Sequence, residues 1–84
     1  MEKTAQQLDE LVILQRELLD AAAQSVQRGG VLVYATCSLE REENENQARA
    51  FVERNVDFQL EESMQMLPPR EGCDGAFAAR FRRN

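Results

Sequence analysis

Across residues 4–28, Leu8, Leu11, Val12, Gln15, Leu18, Leu19, Ala22 and Val26 recur at spacings of three and four. That spacing follows the 3.6-residue helical period and predicts an amphipathic helix with one largely apolar stripe. Thr4, with Gln7 three residues on, has the form of a capping box, and Gly29-Gly30 supplies the stop. Ile13 and Leu14 lie partly off the stripe, which predicts contact with protein on more than one side. Val31-Leu32-Val33-Tyr34 follows, apolar without alternation and half β-branched, the pattern of a strand covered on both faces. A second helix is predicted over 40–54, capped by Ser38, with Ala48, Phe51 and Val52 inward and a charged, solvated outer face. Over 57–64, Phe58 and Leu60 alternate as in a strand. Pro68-Pro69 and Gly72 predict a loop. The last strand is predicted over 75–82, with Phe77, Ala79 and Phe81 on one face and Ala76 and Ala78 on the other. The order is helix, strand, helix, strand, loop, strand.

Eighty-four residues, 43% of them hydrophobic, make one small α/β domain or a piece of a larger one. The formal net charge of −5 disfavours sequence-independent nucleic-acid binding, which needs clustered Lys and Arg. Without His, triads, metal sites and pH switches built on imidazole are excluded. No Trp and a single Tyr make no base-stacking platform. The two cysteines, Cys37 and Cys73, are too few for a disulfide scaffold and form no CxxC pair. One bridge between them stays open, but Met1-Glu2-Lys3-Thr4 leads into polar residues rather than a secretory signal, so two reduced thiols in the cytoplasm are expected. The longest apolar run, 31–35, is far below a membrane span. Charge is uneven: residues 1–67 hold 6 basic and 13 acidic groups, a net of −7, whereas 68–84 hold 4 and 2, a net of +2. The basic end reads as a solvated terminus or as a phosphate contact through Arg80, Arg82 and Arg83.

In open α/β sheets, ligands bind beyond the carboxyl ends of the strands. Cys37 stands at that end of the most apolar strand, just before a turn and a helix. The N–H groups of that helix would favour a thiolate, and such a cysteine suits nucleophilic attack. The alternative is an inert thiol packed as a small hydrophobe. Thr36-Cys37-Ser38, four residues, then Glu43-Asn44-Glu45 resembles the TCS-x4-ENE signature of the Nop/Sun family of RNA (cytosine-5)-methyltransferases. The similarity extends to Leu14-Gln15-Arg16-Glu17-Leu18-Leu19, to Gly29-Gly30-Val31-Leu32-Val33-Tyr34, and to Asp74-Gly75-Ala76-Phe77-Ala78-Ala79-Arg80, which resembles the family's DGFFAA segment. Nearly the whole chain is covered, in order.

The resemblance implies the C-terminal part of a Rossmann-like, S-adenosylmethionine-dependent methyltransferase fold. Residues 1–84 would supply its fifth strand, a crossover helix, the sixth strand and an antiparallel seventh strand between them, a three-stranded mixed sheet. It implies that Cys37 attacks carbon 6 of cytosine in rRNA or tRNA, after which carbon 5 takes a methyl group from S-adenosylmethionine. Thr36 and Ser38 are implied to orient the thiol and cap the next helix. Glu43, Asn44 and Glu45 are implied to support the site, the alternative being a solvated helix face. Cys73 matches no catalytic position. The family's acidic, glycine-rich cofactor loop and its Pro-Cys motif have no counterpart, and Gly29-Gly30 closes a helix rather than opening one. This chain alone is therefore expected to bind neither cofactor nor metal and to be inactive. Its expected partners are RNA, the N-terminal half of the methyltransferase domain, and a second copy through an open sheet edge. The contrasting reading is a non-catalytic interaction or RNA-binding module that contacts phosphate through Arg80, Arg82 and Arg83.

Overall fold

The computed structural model describes residues 4–38, 40–66 and 76–84. The expected loop at Pro68-Pro69 and Gly72 lies outside them, as do Cys73 with any bridge to it, Asp74, and Gly75 of the last strand. The elements follow the expected order: α1 (Ala5–Ala23), β1 (Val31–Thr36), α2 (Glu45–Arg54), β2 (Phe58–Met66) and β3 (Ala76–Arg83). The capping box of α1 forms: Gln7 N donates to Thr4 Oγ1 at 3.1 Å, and Thr4 N donates to Gln7 Oε1 at 3.0 Å. The helix ends at Ala23, short of Gly29-Gly30. Tight turns follow, because Val26 packs against the core and the sheet ladder already begins at the glycines. Gly29 N donates to Arg83 O at 2.7 Å, and Arg83 N donates to Gly30 O at 3.0 Å. Gly29 sits at φ 80, a left-handed conformation that glycine alone adopts cheaply.

β3 lies between β1 and β2 and is antiparallel to both. The sheet is therefore antiparallel, not mixed: β1 and β2 run the same way but never pair, because the inserted strand takes the hydrogen bonds of both. The register puts Leu32, Tyr34 and Thr36 on one face with Phe81, Ala79 and Phe77. Both helices cover that face. Leu19 and Ala23 of α1, and Ala48 and Phe51 of α2, join Phe58, Phe77, Ala79 and Phe81 in one buried cluster. The Phe51 ring stands 5.2 Å from Phe58 and 4.7 Å from Phe81 between centroids.

Among the described residues nothing covers the outer face of β1, although its unbroken apolar run has the pattern of a strand covered on both sides. Val31 and Val33 are 42% and 60% exposed, and Ala35 is exposed beside them. Leu18 of the stripe, with Ile13 and Leu14 beside it, is exposed on α1 as well, so this apolar surface is not used by the chain's own core. A bulge between Leu60 and Glu62 leaves Glu61 without a partner on β3. Strict alternation from Phe58 and Leu60 would turn Glu62 toward the core. The extra residue puts Ser63 on that side of the sheet opposite Ala79, still exposed, and leaves Glu61 and Glu62 to pair with arginines of β3. Among the described residues, no helix is long and apolar enough to cross a membrane.

Candidate functional site

The backbone leaves the sheet after Thr36, whose inward position is fixed by pairing with Phe77. Cys37 occupies a bend and is exposed. Its neighbours are held from the turn that leads into α2. Ser38 is buried; its hydroxyl accepts from Glu40 N at 3.0 Å and donates to Glu43 Oε2 at 2.8 Å. Asn44 donates from Nδ2 to Ser38 O at 2.8 Å and accepts at Oδ1 from the Thr36 hydroxyl. The Tyr34 hydroxyl donates to the Glu43 carbonyl at 2.6 Å, while Gln15 Nε2, reaching across from α1, donates to Glu43 Oε1 at 3.0 Å. Burial, with the Glu43 charge beside it, pushes the Tyr34 phenol up to about 12.

One of the two readings of Glu43 and Asn44 falls away here, and one expectation, the cap, changes. Glu43 and Asn44 do not lie on a solvated helix face; they are 2% and 1% exposed, because residues 40–44 fold as turns that tuck under the end of β1. Ser38 caps those turns rather than α2, which begins at Glu45. Glu45 alone of the three faces outward, paired with Arg41 at 3.1 Å.

Cys37, Ser38, Glu43, Tyr34, Gln15 and Leu18 border a hollow of about 550 Å³ that opens along β1 beside α1. The thiol thus edges a recess whose apolar wall is aliphatic and whose polar floor is the Glu43 cluster. Gln15 Oε1 is buried in that floor without a hydrogen-bond partner. Among the described residues, no group of His, Cys, Asp and Glu is placed to hold a metal ion.

The three arginines are not gathered at this site. Thr36 pairs with Phe77 and Val31 with Arg82, so Arg82 and Arg83 stand at the opposite end of the sheet from Cys37. Each has intrachain partners. Arg80 meets Glu61 and Glu62, both at 3.3 Å. Arg82 meets Glu61 at 2.6 Å and the Gly29 carbonyl at 2.8 Å. Arg83 meets Asp57 at 2.9 Å and the Val26 carbonyl at 2.6 Å, with its guanidinium 5.8 Å from the Phe58 ring centroid.

Sequence reasoning passed over Gln15, Tyr34 and Gln47 as polar members of the network. Gln47 is buried and donates from Nε2 to the Val12 carbonyl at 2.9 Å, fastening α2 to α1. A signal existed for Gln15, a polar residue on an otherwise apolar stripe. None existed for Gln47, whose partner is a backbone atom far away in the chain.

The family described as 16S rRNA methyltransferase RsmB/F matches residues 1–82. Ribosomal RNA small subunit methyltransferase B of Vibrio cholerae serotype O1 is 42% identical over 83 residues, covering 92% of this chain and 19% of its own length. The protein of the same name from Thermus thermophilus is 39% identical over 84 residues, covering 87% of this chain and 21% of its own. The crystal structure of NSun6 from Pyrococcus horikoshii with SFG superposes with a TM-score of 0.82 at 30% identity, over 98% of this chain and 24% of that one. This chain therefore spans about a fifth of the length of the curated relatives it matches.

Proposed function

The chain belongs to the 16S rRNA methyltransferase RsmB/F family, and on that premise we propose that it supplies the nucleophile half of an RNA cytosine-5 methyltransferase site. The observation that carries this is the placement of Cys37: exposed, at the carboxyl end of β1, on the rim of a hollow, between two residues that are both hydrogen-bonded into the protein. The Cys37 thiolate forms a bond to carbon 6 of the cytosine ring. The π electrons of the 5,6 double bond shift toward carbon 5, which becomes an enamine-like nucleophile. Once carbon 5 carries the methyl group, a base supplied by polypeptide beyond these residues takes its proton; the electrons of that C–H bond re-form the 5,6 double bond, and the carbon 6–sulfur bond breaks to return Cys37 as a thiolate.

S-adenosylmethionine, when bound, supplies the methyl group. The lining of this hollow does not fit that donor. Gly29 and Gly30, the two glycines among the described residues, form a turn at the far end of β1, and the Glu43 carboxylate is taken up by Ser38 and Gln15. The donor site, with the cofactor loop and the Pro-Cys motif that the resemblance implies, is assigned to polypeptide beyond these residues. That polypeptide is also the occupant we assign to the outer face of β1, since the relatives are about five times longer and the strand carries exposed valines there. Contact between RNA phosphates and Arg80, Arg82 or Arg83 would compete with the ion pairs these residues already make.

The test mixes this chain with the remaining part of a family enzyme, S-adenosylmethionine and RNA containing 5-fluorocytosine. The wild-type chain is expected to form a covalent adduct that survives denaturation, and Cys37→Ser to form none. An adduct on Cys73, with Cys37 unmodified, would overturn the assignment.

A further inference from the structure

Asn44 occupies the N-cap position of α2, yet its side chain makes no hydrogen bond to the first turn of that helix. An asparagine at this position ordinarily accepts from the N–H two or three residues on. Here the carboxamide is committed instead to the two neighbours of Cys37: Nδ2 donates to Ser38 O at 2.8 Å, and Oδ1 accepts from the Thr36 hydroxyl. The side chain is 1% exposed. The backbone of the same residue is fixed on both sides, with its N–H donating to Arg41 O at 3.1 Å and its carbonyl accepting from Ala48 N at 3.0 Å. One rigid planar group, anchored at the start of a helix, thus bridges the residue before the thiol and the residue after it.

We propose that Asn44 is the positioning residue of Cys37: it fixes the separation of residues 36 and 38, and so the place where the sulfur is presented to the hollow. The geometric part of this stands on the hydrogen bonds; its consequence for catalysis rests on the reading of Cys37 as the nucleophile. Alanine at position 44 removes both bonds. Aspartate keeps the acceptor for Thr36 but sets a second oxygen against the Ser38 carbonyl, so it removes one bond and adds a repulsion.

A nitroxide attached to Cys37, in the 84-residue chain carrying Cys73→Ser and held monomeric by Val33→Lys, reports the bend directly. The label is expected to be immobilised with Asn44 present, mobile in Asn44→Ala, and intermediate in Asn44→Asp. Asp20→Asn, which weakens the contact between α1 and α2 and bonds to none of the residues that Asn44 bridges, is the control: it lowers Tm and leaves the label immobilised, a separation that a merely structural role for Asn44 would not produce. Equal mobility with and without Asn44, or equal loosening by Asp20→Asn, overturns the proposal. In the 5-fluorocytosine assay, Asn44→Asp is expected to slow adduct formation on the order of 10-fold or more, since small displacements of a reacting group are costly. Absence of any adduct with wild type, while the label pattern holds, counts against the cytosine reading and leaves the positioning role standing.

Discussion

The Tyr34 hydroxyl joins β1 to the Glu43 carbonyl in a partly buried setting. A net contribution of about 0.5–1.5 kcal/mol is usual for such a bond. The phenol is raised to about 12 in the folded chain by burial and the nearby Glu43 charge, against about 10 when unfolded. Between those values the folded state holds a proton that the unfolded state has lost, so this stabilisation is complete below about pH 10 and is lost as pH rises toward about 12. Tyr34→Phe is expected to lower Tm at neutral pH and to flatten the alkaline fall. A wild-type alkaline melting profile identical in shape to that of the variant would remove this account. The place of Cys37 at the end of β1 was legible in the sequence, because an apolar run leads straight up to it. The roles of Asn44 and Glu43 were legible only as a choice between support and solvated surface, since a charged or amide side chain near a helix start reads equally well either way.

At the level of elements, α1 and α2 are joined by two polar fastenings besides the shared core. Gln47 holds a carbonyl in the middle of α1, and Arg54 makes a forked contact with Asp20, at 2.9 and 3.2 Å, that Asn55 extends at 3.1 Å. Burial pushes the Asp20 carboxyl up, but the hydrogen bonds from Arg54 and Asn55 and the charges of Arg54 and Arg16 outweigh it and hold the group below its ordinary value. A depressed folded-state value stabilises above the unfolded value, about pH 4, and the contribution is lost as pH falls through the folded one. Asp20→Asn should therefore lower Tm at pH 7, with the gap to wild type closing in acid and narrowing with added salt, because the pair is partly exposed. A gap that is constant from pH 7 to acid would contradict this. Element type and order were readable from apolar periodicity. The ends were not: the exit from α1 is decided by the ladder at Gly29-Gly30, and the start of α2 by turns buried under β1.

For the molecule as a whole, the decisive feature is a two-layer arrangement with one face of the sheet left open. Among the described residues, β1 is paired on one side only, and its outer residues Val31 and Val33 are exposed together with Ile13, Leu14 and Leu18 of α1. Unpaired strand edges with apolar faces recruit other strands. Without the remaining family polypeptide, the chain is expected to self-associate through this edge in sedimentation velocity, and Val33→Lys to return it to a monomer while costing little stability, since Val33 is 60% exposed. A wild-type chain that stays monomeric at the highest accessible concentration would refute the edge as a contact.

The amino-acid order by itself determined the element sequence, the inward face of β3 and the resemblance around Cys37, because each is a local pattern set by side-chain spacing. Only the tertiary structure decided that β3 takes the hydrogen bonds of both neighbours, that both helices fall on one face, that the arginines of β3 meet carboxylates of β2 and its approach, and that Asn44 brackets the thiol. These depend on which distant residues arrive at the same place, and spacing along a chain carries no record of that.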